Sequence, residues 1–404
     1  MQSFVDVSGG VAAANGFKAA GVEAGIKYAG RKDVALIVSD VPANVSAVYT
    51  TNRVAAAPVQ LDRERTVSGK AQAILANSGC ANACTGEQGM RDARASARFT
   101  AEVLGIDESL VLVCSTGVIG MLMPLERLEA GVKSAASALS RDGGADAARA
   151  IMTTDTCSKE IAVQFTLDGR TVTLGGMCKG AGMIEPDMAT MLAFLTTDAA
   201  VAPNALDAAL RKAAAVSFNS LVVDGDRSTN DTLIVLANGA AGNREVVEGT
   251  PDFDRFTDAM RHVCVELAKK MAKDGEGASK FVTVRVNGAT TDKDAAVAAR
   301  AIAKSPLVKT SWAGMDPNWG RVIAAVGYSG AAVDDGRVQI FYDDVCAYDA
   351  GRVADAQTLA AMKEKMRKPE FDVTVDLHLG TGSAVVYTCD LTHGYITINA
   401  DYTT

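Results

Sequence analysis

Apolar and polar positions along the chain repeat at two periods, one near two residues and one near 3.6, and the two kinds of segment take turns for most of its 404 residues. DVALIVSD, Asp33 to Asp40, is an apolar run closed by an acid at each end and predicts a buried strand. MRDARASARFTAEVL, residues 90–104, predicts a helix stopped by Gly105, whose missing Cβ suits a left-handed cap. LVLVCST, 110–116, predicts the next strand. From Pro124, the residues Leu125, Leu128, Val132, Ala136 and Leu139 form one apolar stripe that runs on to Gly143-Gly144, a second helix.

Past the middle, a helix is expected near 203–215, and FNSLVVDGDRSTNDTLIVLANG reads as two strands around a polar loop. Residues 254–273 place Phe256, Met260, Val263, Leu267 and Met271 on one helical face. That helix should stop at Asp274-Gly275, which puts Glu276 in the connection before the alternating strand FVTVRV, 281–286. From about 338 the pattern predicts strands almost throughout: VQIFYDD, FDVTVDLHL, SAVVYTCDL and GYITINA. The class is α/β or α+β, and with no Pro- or Ser-rich linker the only candidate boundary is the middle of the chain.

Composition adds constraints. With 48% hydrophobic residues the chain can bury a large core, as one unit or two. The formal charge of −8 and the absence of a Lys/Arg-rich block argue against nucleic acid or a membrane surface, leaving small molecules and proteins as partners. No apolar run is long enough to span a bilayer, and the first residues lack the basic and apolar regions of a secretory leader, so a cytoplasmic location is expected. Eight scattered cysteines without a CxxC pair read as reduced thiols.

Most familiar catalytic patterns fail. The three histidines, His262, His378 and His393, show no ligand spacing. GAG at 180–182 lacks the third glycine of a dinucleotide site and the Lys-Ser/Thr of a phosphate loop. Cys80 and Cys84 have no second pair to complete a zinc site. Asp224, Asp226, Asn230 and Asp231 in VDGDRSTND resemble a hard-cation loop but lack the glycine and terminal glutamate of an EF-hand, which favours a hydrogen-bonded turn.

Thr190 stands where the Gly-rich KGAGMIEPDMA meets the apolar run MLAFLTT. A mid-chain hydroxyl is a weak nucleophile without a base, and otherwise a β-branched residue there simply opens a buried segment. Cleavage between Ala189 and Thr190 would supply the base, because an α-amine titrates at about 7.7–8.0 and lies two bonds from the hydroxyl-bearing carbon.

KGAGMIEPDMATMLAFLTTDAA resembles the self-cleaving region of the ornithine acetyltransferases, the arginine-biosynthesis bifunctional glutamate N-acetyltransferase family. GFKAAGVEAGIK, LIVSDVPANVSAVYTTN, ILANSGCANACTG, CSTGVIG, IMTTDT, VDGDRSTND, KDGEGASKF, DPNWGRV and INADYTT extend the resemblance, in the family's order, over essentially the whole chain. Departures are Cys157-Ser158, where many members have a proline before the lysine, and Arg227, where a smaller residue is common.

The resemblance implies an α+β fold, a layered α/β/β/α sandwich with a smaller C-terminal portion. It implies self-cleavage into an α chain, 1–189, and a β chain, 190–404, that pair as α2β2. It implies acetyl transfer from N2-acetyl-L-ornithine to L-glutamate through acetyl-Thr190, with Thr116 and Gly117 as the oxyanion site. Thr153, Lys179, Thr190, Glu276, Asn399 and Thr404 would contact substrate. No metal or cofactor is implied, and the shared motifs do not tell members that also accept acetyl-CoA from those that do not. An N-terminal-nucleophile aminopeptidase or amidohydrolase of the same fold is the alternative; a noncatalytic scaffold fits the motifs poorly.

Overall fold

The structure, a computed structural model, describes residues 4–185 and 191–401. In chain order the first part contains β1 (Val5–Val7), β2 (Phe17–Val22), β3 (Val34–Tyr49), α1 (Ala57–Thr66), β4 (Lys70–Asn77), α2 (Gly86–Leu104), β5 (Val111–Ser115), α3 (Leu125–Ala138) and α4 (Gly144–Ala150). It continues with β6 (Lys159–Leu167), β7 (Arg170–Lys179), β8 (Leu192–Thr197), α5 (Pro203–Ala215), β9 (Thr232–Ala237) and α6 (Pro251–Lys273). These strands make one nine-stranded sheet in the order β1-β6-β7-β8-β9-β3-β4-β5, with β2 also on β3.

The long strand β3 bends this sheet into two layers. Its residues 34–39 pair with β2 and 34–38 with β4, a ladder that resumes at Ala43 and Asn44 after a register shift, while 44–49 pair with β9. Side chains alternate accordingly. In β8 and β9, Ala193, Leu195, Leu233 and Val235 face α5 and α6 over Leu206, Leu210, Met260 and Leu267. Their neighbours Leu192, Phe194, Ile234 and Leu236 face Phe17, Ile37, Ile74 and Leu112 of the other strands. The far side of β3 and β4, Leu36 and Leu75, is covered by Leu128 and Val132 of α3 and Phe99 of α2. The order of layers is helix, sheet, sheet, helix, the expected α+β sandwich. Burial on both faces is why MLAFL, residues 191–195, is apolar throughout instead of alternating.

After α6 the chain builds β10 (Phe281–Ala289), α7 (Asp292–Lys304), α8 (Pro306–Ala313), α9 (Trp319–Tyr328), β11 (Gln339–Tyr342), β12 (Val345–Asp349), β13 (Arg352–Val353), α10 (Ala356–Met366), β14 (Glu370–Asp376), β15 (Gly382–Cys389) and α11 (His393–Asp401). Its six strands form a second sheet, β13-β12-β11-β14-β10-β15. The middle of the chain therefore lies inside the first sheet, and the change of sheet follows α6. No helix among the described residues is long and apolar enough to cross a membrane.

Four sequence expectations need correction. The strands expected almost throughout from about 338 are interrupted by the helix α10. FNSLVV is not a strand: Phe218–Ser220 form a 3-10 turn and Leu221 makes only an isolated bridge to Tyr387. The helix from Pro124 ends at Ala138, and Gly144 opens α4, because an added Cβ on Gly143 or Gly144 would meet the carbonyl oxygens of Ala19 and Gly9, at 1.8 and 2.1 Å, so both glycines pack directly on backbone. GYITINA is helical, opened by Thr392, whose hydroxyl accepts the Gly394 N–H and donates to Gly277 O.

Candidate active site

Ala189, Thr190 and Thr404 lie outside the described residues, so the site is built from what surrounds the 186–190 segment. On one side β7 ends at Lys179 and continues to Glu185, with the N–H groups of Met183 and Ile184 donating to the Asp224 carboxylate at 2.6 and 2.8 Å. On the other, Met191 N–H donates to Asp231 Oδ1 at 2.8 Å. The loop VDGDRSTND thus grips both flanks, the hydrogen-bonded role its sequence favoured, and no metal-ligating cluster occurs among the described residues. Arg227 in that loop pairs with Glu185 at 3.4 Å.

Asn230, next to Asp231, donates through Nδ2 to Ser115 O at 2.8 Å and Ala81 O at 2.7 Å. It ties the loop that leads into β9, whose Asp231 holds Met191, to the end of β5, where Thr116 and Gly117 follow. Thr116 N–H is taken by Asn77 O. Gly117 has φ +131°, and a Cβ there would lie 2.3 Å from the Gly79 carbonyl carbon, so only glycine fits. Among the described residues the Thr116 hydroxyl and the Gly117 N–H form no hydrogen bond, leaving two donors at a rigid strand end, the equipment of an oxyanion site.

Lys179, only 3% exposed, extends its Nζ to 3.5 Å from Thr153 Oγ1. Burial pushes this ammonium's pKa below the usual lysine range, opposed by Asp155, Asp231 and Glu276. Glu276 N–H donates to Ala181 O at 2.8 Å, and its carboxylate lies 2.5 Å from where a side chain on Gly182 would begin, so a larger residue there would displace that carboxylate. Asn399 Nδ2, on α11, reaches Glu276 Oε2 at 2.7 Å. The structure therefore brings together Thr153 with Lys179, and Glu276 with Asn399, around the residues flanking 186–190.

The sequence reading missed Asp155, Lys159 and Asp274, which lie beneath these groups, and the positioning work of Asn230 and Asp231. Burial pushes Asp231 well above the ordinary carboxyl range, against its bond from Met191 N–H and the charge of Lys179. The signal was the sheer number of polar residues in VDGDRSTND and IMTTDT beside apolar strands. Two of the histidines are engaged elsewhere: His262 packs on Phe4 at 5.3 Å between ring centres and His378 bonds Gln339. Cys80 is buried and Cys84 exposed, both free thiols.

Comparison with known proteins places the chain in a family. The ArgJ family matches residues 18–404. The arginine biosynthesis bifunctional protein ArgJ of Symbiobacterium thermophilum is 54% identical over 400 residues, covering 98% of this chain and 99% of that one. Its counterpart in Geobacter sulfurreducens is 54% identical over 389 residues, 96% of this chain and 99% of that one. The crystal structure of arginine biosynthesis bifunctional protein ArgJ from Bacillus halodurans is 38% identical, covers 52% of this chain and 98% of its own, and superposes with a TM-score of 0.50. With a family match from residue 18 to the last residue and relatives more than half identical over nearly their full length, this chain belongs to the ArgJ family.

Proposed function

We infer that the protein is a glutamate N-acetyltransferase of arginine biosynthesis, moving an acetyl group from N2-acetyl-L-ornithine to L-glutamate. The observation that carries the mechanism is the pair of unspent donors, Thr116 hydroxyl and Gly117 N–H, tied through Asn230 and its neighbour Asp231 to Met191, the residue after Thr190.

In this reading the chain cuts itself between Ala189 and Thr190. The Thr190 hydroxyl attacks the acetyl carbonyl while its own α-amine takes the proton, and Thr116 and Gly117 hold the oxyanion, a contribution of about 3 kcal/mol per donor. Ornithine leaves with that proton on its amine. The glutamate amine then attacks the acetyl-threonine ester, giving N-acetylglutamate and free Thr190. Lys179 with Thr153 takes a substrate carboxylate, and Glu276 with Asn399 a substrate ammonium, Thr404 completing the set. Processed chains of 1–189 and 190–404 assemble as α2β2 in the cytoplasm. Two-chain architecture is supported by the Bacillus halodurans protein, whose solved chain matches over 98% of its own length yet spans only 52% of this one.

Intact mass and steady-state assays test the reading together. A purified protein that is one uncut chain and still transfers acetyl would sink the Thr190 mechanism. Release of acetate in place of N-acetylglutamate from acetylornithine plus glutamate would assign a hydrolase. Acetyl-CoA with glutamate, run beside it, measures a second donor route.

A further inference from the structure

Beneath the site, where the start of β6, the end of β7 and the C-terminus of α6 meet, three charged side chains are withdrawn from solvent. Asp155, Lys159 and Asp274 are 0%, 1% and 6% exposed at their side chains. Lys159 Nζ donates to Asp155 Oδ1 at 2.6 Å, Asp274 Oδ2 at 2.5 Å and Cys157 O at 3.3 Å, which uses all three of its protons. Such a set costs desolvation that apolar residues of the same volume would avoid, so stability alone is a poor reason for it.

What the set holds is the substrate-facing backbone. Asp155 also accepts the N–H of Gly180 at 2.7 Å, next to Lys179, and the N–H of Thr153 at 3.0 Å. Asp274 accepts Thr156 N–H at 3.1 Å as well as the Thr156 hydroxyl, and Glu276 follows it by two residues. Thr153, Lys179 and Glu276 come from three separate segments, and each lies within two residues of an anchor of this cluster.

We propose that Asp155, braced by Lys159 and Asp274, is a positioning residue that makes Thr153 and Lys179 a single carboxylate-recognising pair. The inference rests on the acetyl-transfer reading. Charged groups facing Lys179 are Asp155, Asp231, Glu276 and, with like charge, Lys159; burial opposes its proton and Asp155 is the leading group that keeps it. Facing Lys159 are Asp155, Asp274 and the Cys178 thiol. Lys159 and Lys179 together hold the Asp155 carboxyl below its ordinary range despite burial. Without the Asp155 charge, Lys179 gives up its proton at lower pH, and a neutral amine no longer attracts a carboxylate.

The test is Asp155→Asn in the full-length protein, with kcat and KM for N2-acetyl-L-ornithine measured across pH and the extent of cleavage read by mass. The expected result is a KM raised about tenfold with kcat changed far less, and an alkaline limb of kcat/KM moved to lower pH by about one unit. Thr156→Val, which removes one hydroxyl from Asp274 and leaves the buried charges, should raise KM by about two- to threefold. An Asp155→Asn enzyme that is cleaved and keeps its KM and pH limb overturns the proposal, as does a loss confined to thermal stability or to the cleaved fraction. If Asp155→Asn does not fold, Thr156→Val decides on its own: an unchanged KM overturns the proposal. Wild-type protein without acetyl transfer would instead refute the functional reading.

Discussion

The six-stranded sheet packs Val282, Val284, Val286, Val373 and Val375 against Ala298, Ala299, Ile302 and Val326, and holds its ion pairs out in solvent, as with Arg285–Asp372, whose side chains are 42% and 40% exposed. The nine-stranded sheet region also has an extensive apolar core but buries beside it Asp62, Asp155, Lys159, Lys179, Asp198 and Asp231. The buried exceptions in the second region, Lys309 and Asp390, stand near the junction, with Asp390 accepting Ser279 N–H at 2.8 Å. Burying titratable side chains costs free energy, so their concentration around Lys179 marks a part of the chain held for chemistry and not only folded. The second region is scaffold that carries one edge, Asn399 on α11, to the site.

The sharpest contrast comes from the proposed nucleophile. Thr190→Ala should leave an uncut, inactive chain on a denaturing gel, while Thr190→Ser, keeping the hydroxyl, should still cut. Gly117→Ala, forced against the Gly79 carbonyl, should lower kcat about a hundredfold or more, measured on folded protein. In the scaffold, Ile302→Ala should cost about 2–5 kcal/mol in chemical denaturation while kcat per folded molecule stays at the wild-type value. A drop in kcat there would break the division between the two regions.

A smaller effect sits under β5. Asp62 on α1 accepts Val113 N–H at 2.8 Å, and burial pushes its carboxyl up to about 8. Its folded pKa exceeds its unfolded one, so the folded state binds the extra proton and stability falls as pH rises between about 4 and about 8. Asp62→Asn has no proton to lose. Its melting temperature relative to wild type should therefore improve from pH 5 to pH 8, and a constant difference would show that Asp62 is ionised throughout. Least of all, Arg285→Ala should change stability by less than about 1 kcal/mol, since its pair with Asp372 is solvated.

Much of this was legible beforehand where periodicity coincides with strong side chains. Phe256, Met260, Val263, Leu267 and Met271 announced α6, and all five are buried. The helices between 292 and 328 gave a fainter signal, because α7 buries Ala295, Ala298, Ala299 and Ala303, too small to stand out as a stripe. GYITINA alternates like a strand, yet α11 buries none of its own side chains and depends on Thr392 and on the close approach of Gly277 to Gly394, contacts with no local trace. In the site, motif resemblance pointed to Thr153, Lys179, Glu276 and Asn399. The clamps Asp155, Asn230 and Asp231 join segments up to 149 residues apart, and no spacing rule reaches that far.

Strand order gives the proposed cut an unusual mechanical property. β8 pairs with β7 through six residue pairs, β9 pairs with β3 through six more, and β8 and β9 lie side by side between them. Residues from beyond the cut are thus interleaved with strands from before it. Two halves so laced cannot trade partners with neighbouring molecules without unfolding, so scission would be silent to gel filtration and would add only the water of hydrolysis to the native mass. Made separately, each half would carry two long unpaired edges into solution, and mixing them should give aggregates where the single precursor gives enzyme.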